Sequence, residues 1–239
     1  LPKPTPTLSN VPRPVSNVRK PAWNAIEATL GQGFDIGHGT LDIGQQALTV
    51  AARRIGYRRR LPCLDRRHPR YAVPMPTRVL GIDPGLRVTG YGLVSLADGA
   101  LEPTLCDAGF IRLHGKLSLE QRLVQLHHDL DELVVELAPQ VLVVEKLYAH
   151  YKHPRTAILM AHARGVILLC GKQRGLAVEH LPATAVKKAV TGFGHASKQQ
   201  MQQAVASQCR LKEPPNPPDV ADAIAIALTQ ARRMALARL

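Results

Sequence analysis

Four consecutive aliphatic residues, Val141-Leu142-Val143-Val144, run without interruption into a carboxylate, Glu145. An unbroken apolar run of strand length suits a strand covered on both faces, which a layered α/β architecture provides. The neighbouring segments agree with that reading. Arg78–Ile82 is a short apolar run closed by Asp83-Pro84-Gly85, a strand ending in a turn. Thr89–Leu96 and Ala108–Leu113 read as the second and third strands of an antiparallel meander. Leu119, Leu123, Leu126, Leu130, Leu133 and Leu137 fall on one face of a helix. Thr156–Gln173 is mostly small or aliphatic and reads as a heavily buried helix, and Leu176–Leu181 as a fifth strand. Ala183–Val190, Ser197–Cys209 and Val220–Leu236 read as helices, the last after the Pro-rich turn Pro214–Pro218. The order βββαβαβααα predicts an α/β domain over residues 75–239, a mixed five-stranded sheet flanked by helices.

Composition matters for what precedes this domain. Residues 1–74 hold 12 Lys+Arg against 4 Asp+Glu and nine of the 19 prolines, so more than half of the net charge of +13 lies there. Only Gln45–Arg54 has the pattern of a short helix, and a largely disordered N-terminal extension is expected. Three readings stay open for it: an Arg-rich organelle-targeting peptide, a DNA-tethering arm, or a disordered or translated upstream segment ahead of Met75. The domain itself carries 19 basic against 14 acidic residues, so basicity alone says little about its partner. No apolar run approaches the roughly 20 residues of a bilayer span, which argues against an integral membrane protein. Cys63, Cys106, Cys170 and Cys209 are scattered with no C-x-x-C pair, which favours four thiols in a reducing compartment over a disulfide scaffold or zinc ribbon.

Four acids stand out by position. Asp83 and Glu145 each terminate a buried strand, while Asp219 and Asp222 open the last helix three residues apart, on one face. Structural alternatives exist for three of them. Asp83 before Pro-Gly suits an Asx-turn, and Asp219 suits an N-cap with Asp222 at the third helical position. Glu145, directly after Val-Leu-Val-Val, is harder to explain structurally. Clustered carboxylates are neutralised by hard divalent cations. Two such ions about 4 Å apart activate a water and stabilise the leaving oxygen of a phosphodiester.

Residues 81–92 (Gly81-Ile82-Asp83-Pro84-Gly85-Leu86-Arg87-Val88-Thr89-Gly90-Tyr91-Gly92) are followed in order by Val143-Val144-Glu145-Lys146-Leu147-Tyr148 and Ala163-Arg164-Gly165. Pro218-Asp219-Val220-Ala221-Asp222-Ala223-Ile224-Ala225-Ile226-Ala227 closes the set. Over about Arg78 to Leu236 the chain resembles the RuvC family, bacterial Holliday-junction resolvases of the RNase H-like, integrase-type fold. The resemblance implies a crossover junction endodeoxyribonuclease acting in recombination and repair. It puts Asp83, Glu145, Asp219 and Asp222 on the four acids that hold two Mg²⁺ (or Mn²⁺) per subunit. It also puts Lys187 and Lys198 on basic residues flanking the cleft. Tyr148 takes the place of an aromatic that stacks on an unpaired base, with Lys152 in the same loop. His195, in the glycine-rich loop between the lysines, is a candidate phosphate or base contact. The resemblance further implies a homodimer paired through Thr156–Gln173, four-way junction DNA as substrate, a RuvA–RuvB branch-migration partner and a bacterial cytoplasmic location. In that helix Ala157, Ala161 and Gly165 allow close approach, and Ile158, Met160, Ile167 and Leu168 supply apolar area. Rival readings are an RNase H-fold nuclease acting on RNA precursors, a non-catalytic junction-binding module and an actin-like kinase. The chain between Glu145 and the last helix counts against the first, the intact acid set against the second, and a single copy of the meander against the third.

Overall fold

In the computed structural model, residues 55–60, 75–147 and 154–239 are described, all within one compact unit, Ile43–Leu239. In chain order the elements are β1 (Ile55–Arg60), β2 (Thr77–Asp83), β3 (Val88–Leu96), β4 (Thr104–Arg112), α1 (Leu119–Leu137), β5 (Val141–Glu145), α2 (Pro154–Gln173), β6 (Ala177–Leu181), α3 (Ala183–Thr191), α4 (Lys198–Gln208) and α5 (Pro218–Leu236). The sheet order is β1-β4-β3-β2-β5-β6. The expected meander β2-β3-β4 is antiparallel, and β2, β5 and β6 run parallel through helical crossovers. The mixed sheet flanked by helices is thus present, with one strand more than the sequence reading gave. Ile55–Arg60, in the segment expected to be disordered, pairs antiparallel with β4. Without it β4 would present an open row of backbone donors and acceptors. Gln45–Arg54 lies outside the described residues.

Alternation along the strands divides the core in two. Val79, Val94, Leu96, Val141 and Val143 face α3, α4 and α5. Leu80, Ile82, Leu93, Leu142 and Val144 face α1 and α2. Strand β5 is therefore covered on both sides, as its unbroken apolar run requires. Helix α1 starts at a capping box, in which the Ser118 hydroxyl accepts from the Gln121 amide and the Gln121 side chain accepts from the Ser118 amide. Its leucines at 126, 130, 133 and 137 fill the second half of the core.

Two sequence expectations change here. Cys106, in β4, is disulfide-bonded rather than a thiol; nothing in the cysteine spacing signals this. Cys170 and Cys209 are free, and burial pushes both up to about 11, which keeps them as protonated thiols near neutral pH. On α2, Ile167 is fully buried in the intrachain core and is not available to a partner. Its apolar pattern runs nearly all round the helix, so spacing alone does not distinguish the inward face. Ile158, Ala161, Gly165 and Leu169 are exposed and share one stripe of that helix.

Candidate active site

Period-two geometry decides where the strand-end acids point. Val79 faces α5, so Gly81 and Asp83 do as well; Val141 and Val143 face α5, so Glu145 follows them. Ile82 pairs with Val144 across the parallel β2–β5 ladder, which puts Asp83 and Glu145 at adjacent ends on one face.

Three glycines bring the helix down onto these ends. A Cβ on Gly81 would lie 2.3 Å from the Ala223 carbonyl oxygen, and one on Gly92 would lie 2.7 Å from the Ile224 Cα. A Cβ on Gly90 would lie 2.1 Å from the Asp219 carbonyl oxygen. Gly81 pairs with Gly92, and Asp83 with Gly90, across β2–β3. Backbone of α5 therefore rests on bare strand, and its first turn sits over Gly90, beside Asp83. Alanines at 221, 223, 225, 227 and 231, all fully buried, keep the helix thin along its length.

The structural alternatives for these acids are not what the fold uses. Helix α5 begins at Pro218 after the cap position Pro217, and no side chain caps it. Asp219 thus lies inside the first turn rather than at the N-cap. The turn after Asp83 is closed by Thr89, whose hydroxyl donates to the Gly85 carbonyl at 2.7 Å. Arg122 adds a hydrogen bond from its guanidinium to the Leu86 carbonyl at 3.3 Å. Among the described residues, none of the four carboxylates takes part in an ion pair or a side-chain hydrogen bond.

Their proximity shows in their electrostatics. Burial, then the charges of Asp222, Glu145 and Asp219, raises the Asp83 carboxyl well above the usual carboxylate range, with Lys198 opposing. Glu145 is raised by burial and Asp222, with Lys187 opposing. Asp222 is raised by burial; Lys198 and Lys187 pull it down while Asp219 pushes it up. Four carboxylates thus gather at one partly buried site, with Lys187 on α3 and Lys198 on α4 close enough to act on it. No three of the acids offer oxygens all within 4.8 Å of one another; among the described residues only His128, Asp129 and Glu132 on α1 do so. The four groups offer oxygen donors only, which fits hard divalent cations spread over pairs of carboxylates.

Lys198 is fixed as the first residue of α4 by the Ser197–Gln200 capping box. His195 is exposed in the α3–α4 connection, its ring against Phe193. Tyr148 and Lys152 lie outside the described residues. Arg164, in the Ala163-Arg164-Gly165 motif, carries a role that its sequence context does not signal. Its Nε donates to the Glu145 carbonyl at 3.1 Å, and its other end meets the His180 Nδ1 at 2.9 Å. It ties α2 to the end of β5 and to β6, fixing the backbone that carries Glu145. Only the fold reveals this, because the contact is to a main-chain atom.

Carboxylates at two neighbouring parallel strand ends, faced by the first turn of a helix laid on the same sheet, define an RNase H-like α/β domain with a clustered-acid site. The model of the RuvC family, crossover junction endodeoxyribonuclease, matches residues 79–230. The chain belongs to this family. A crossover junction endodeoxyribonuclease RuvC of Rhodopirellula baltica is 47% identical over 152 residues, 63% of this chain and 83% of that protein. One of Gloeobacter violaceus is 41% identical over 152 residues, 64% of this chain and 86% of that protein. Among solved structures, Thermus thermophilus RuvC superposes with a TM-score of 0.60 at 30% identity, covering 67% of this chain and 97% of that one. The same protein in complex with a Holliday junction substrate gives 0.58 at 27% identity, covering 67% and 96%.

Proposed function

We propose that this chain resolves four-way DNA junctions by paired, symmetric nicks, leaving 5′-phosphate and 3′-hydroxyl ends. The observation that carries the reading is the meeting of Asp83, Glu145, Asp219 and Asp222 in one pocket under the first turn of α5. These four carboxylates would hold two Mg²⁺ (Mn²⁺ also serving). Ions held there would lower the pKa of a bound water, so that the hydroxide it yields attacks phosphorus, and would offset the charge on the departing oxygen. Asp83 and Glu145, on adjacent strands of a buried sheet, keep a fixed separation. Asp219 and Asp222 are held against them by the glycine lane. Lys187 and Lys198 draw the phosphate toward the pocket as point charges. Tyr148 would stack on an unpaired base at the crossover, and Lys152 and His195 would each contact DNA.

A junction has approximate two-fold symmetry, so a C₂ homodimer places one such pocket on each of two equivalent strands. The exposed stripe Ile158, Ala161, Gly165 and Leu169 on α2 supports that pairing. A Cβ on Gly165 would meet nothing within 4 Å in the single chain, which leaves room for a second helix. In this reading the protein works in the bacterial cytoplasm beside a RuvA–RuvB branch-migration complex, and residues 75–239 carry the chemistry.

A fixed four-way junction incubated with the protein and Mg²⁺ should give symmetric nicks while a linear duplex survives. Glu145→Gln and Asp222→Asn should each bind the junction and leave it uncut. Normal cleavage by either variant would overturn the metal assignment.

A further inference from the structure

The connection between α3 and α4 carries a feature that the acids and lysines leave unexplained. Phe193 is 59% exposed. An aromatic ring kept in water forgoes the stabilisation that burial would return. Gly192 ends α3 with a left-handed backbone, φ 80°. The Phe193 amide donates to the Thr191 hydroxyl at 3.1 Å, and that hydroxyl donates to the Lys187 carbonyl at 2.8 Å. On the far side, the Ser197 capping box fixes the start of α4. The ring is thus exposed on a backbone that is fixed at both ends.

Its surroundings narrow what it meets. His195 lies 5.8 Å away with the two rings at 65°, a T-shaped pair rather than a stack. Beside Phe193 is a hollow of about 330 Å³ lined by Val190, Ala196 and Ala204, with the amides of Gln200 and Gln203. Such a lining suits a flat ring with hydrogen-bonding edges. Lys198 opens α4 directly after this connection and Lys187 lies within α3 one turn before its end, and both act electrostatically on the acids. In the chain the ring thus sits between two cationic residues, six positions after Lys187 and five before Lys198. That charge complements a polyanion, and one ring with a small hollow is too little apolar area for a protein partner.

We infer that Phe193, buttressed by His195, is a stacking platform for the base of a nucleotide adjoining the cleaved phosphate, and that this base seats in the hollow between α3 and α4. The inference rests on the junction-nuclease reading and adds to it a base contact distinct from that of Tyr148. Base–aromatic stacking is worth about 1–3 kcal/mol per base, so its loss should raise the KM for junction cleavage about tenfold or more.

The test uses four-way junctions with 2-aminopurine placed in turn at the nucleotides on either side of the cut. Emission is read on binding in the Glu145→Gln background, where the strand stays intact. One position should change emission on binding. Phe193→Ala should abolish that change and raise KM in the otherwise wild-type enzyme, whereas Phe193→Tyr should keep the emission change and the parental KM. Because the ring is exposed, all variants should melt with the parent. Unchanged emission and KM in Phe193→Ala, or a Tyr variant as impaired as Ala, would overturn the inference. If the parent itself fails to cut the junction, the functional reading falls first, and the inference falls with it.

Discussion

Replacing Gly81 by Ala perturbs the site without touching any acid. The new Cβ would stand 2.3 Å from the Ala223 carbonyl oxygen and 2.6 Å from the Ala227 amide nitrogen, both backbone atoms of α5. Ordinary non-bonded contact needs about 3.5 Å, so the helix must retreat by roughly 1 Å. Overpacking of this kind costs about 1–3 kcal/mol. For a domain of this size that corresponds to a fall in Tm of roughly 5 °C, which leaves it folded at assay temperature. The catalytic effect should be larger. A 1 Å displacement of reacting groups costs about a hundredfold in rate, and the retreat carries Asp219 and Asp222 away from Asp83 and Glu145. Single-turnover cleavage of a four-way junction, alongside thermal melts, measures both quantities. Gly115→Ala, whose Cβ would meet nothing within 4 Å, is the matched control and should behave as the parent. A Gly81→Ala protein with parental rate and Tm would show that contact between α5 and the sheet does not set the spacing of the acids.

Further outcomes follow from the same geometry. Asp83 has a raised folded-state pKa, so in EDTA the protein should lose stability as pH climbs from about 4 through that pKa. Asp83→Asn should flatten the part of this slope due to residue 83, and an identical pH profile of Tm in the variant would contradict the electrostatic account. Arg164→Met removes the donor to the Glu145 carbonyl and should lower the cleavage rate about tenfold while raising the divalent-ion concentration needed. Arg164→Lys should restore part of this; an unchanged ion requirement in Arg164→Met would remove Arg164 as a positioning residue. Truncation before Met75 should preserve cleavage but lower solubility or Tm, because it uncovers the β4 edge paired with Ile55–Arg60.

Much of this architecture could be read from local pattern. The apolar run ending at Glu145, the Asp-Pro-Gly turn and the leucine spacing of α1 each have one physical reading, and those elements fall within a residue or two of expectation. Strand β4 begins at Thr104 rather than Ala108, since β3 recruits those residues by pairing rather than by their own preference. Strand β1 was hidden for a similar reason: an Arg-rich hexapeptide becomes a strand because an edge is open to it. The acids were identifiable as end-of-element carboxylates, yet sequence alone could not choose between capping and a shared pocket for Asp219. That choice is made by Gly81, Gly90 and Gly92, whose importance appears only once α5 lies on them. The buried side of α2 is likewise ambiguous from its apolar pattern, and the fold turns Ile167 inward, away from any partner.

Anomalous scattering from crystals grown with Mn²⁺ tests the central claim most directly. Two peaks about 4 Å apart, bracketed by Asp83, Glu145, Asp219 and Asp222, are the predicted result. Ions found only at His128, Asp129 and Glu132, with none among the four strand-end and helix-start acids, would contradict it.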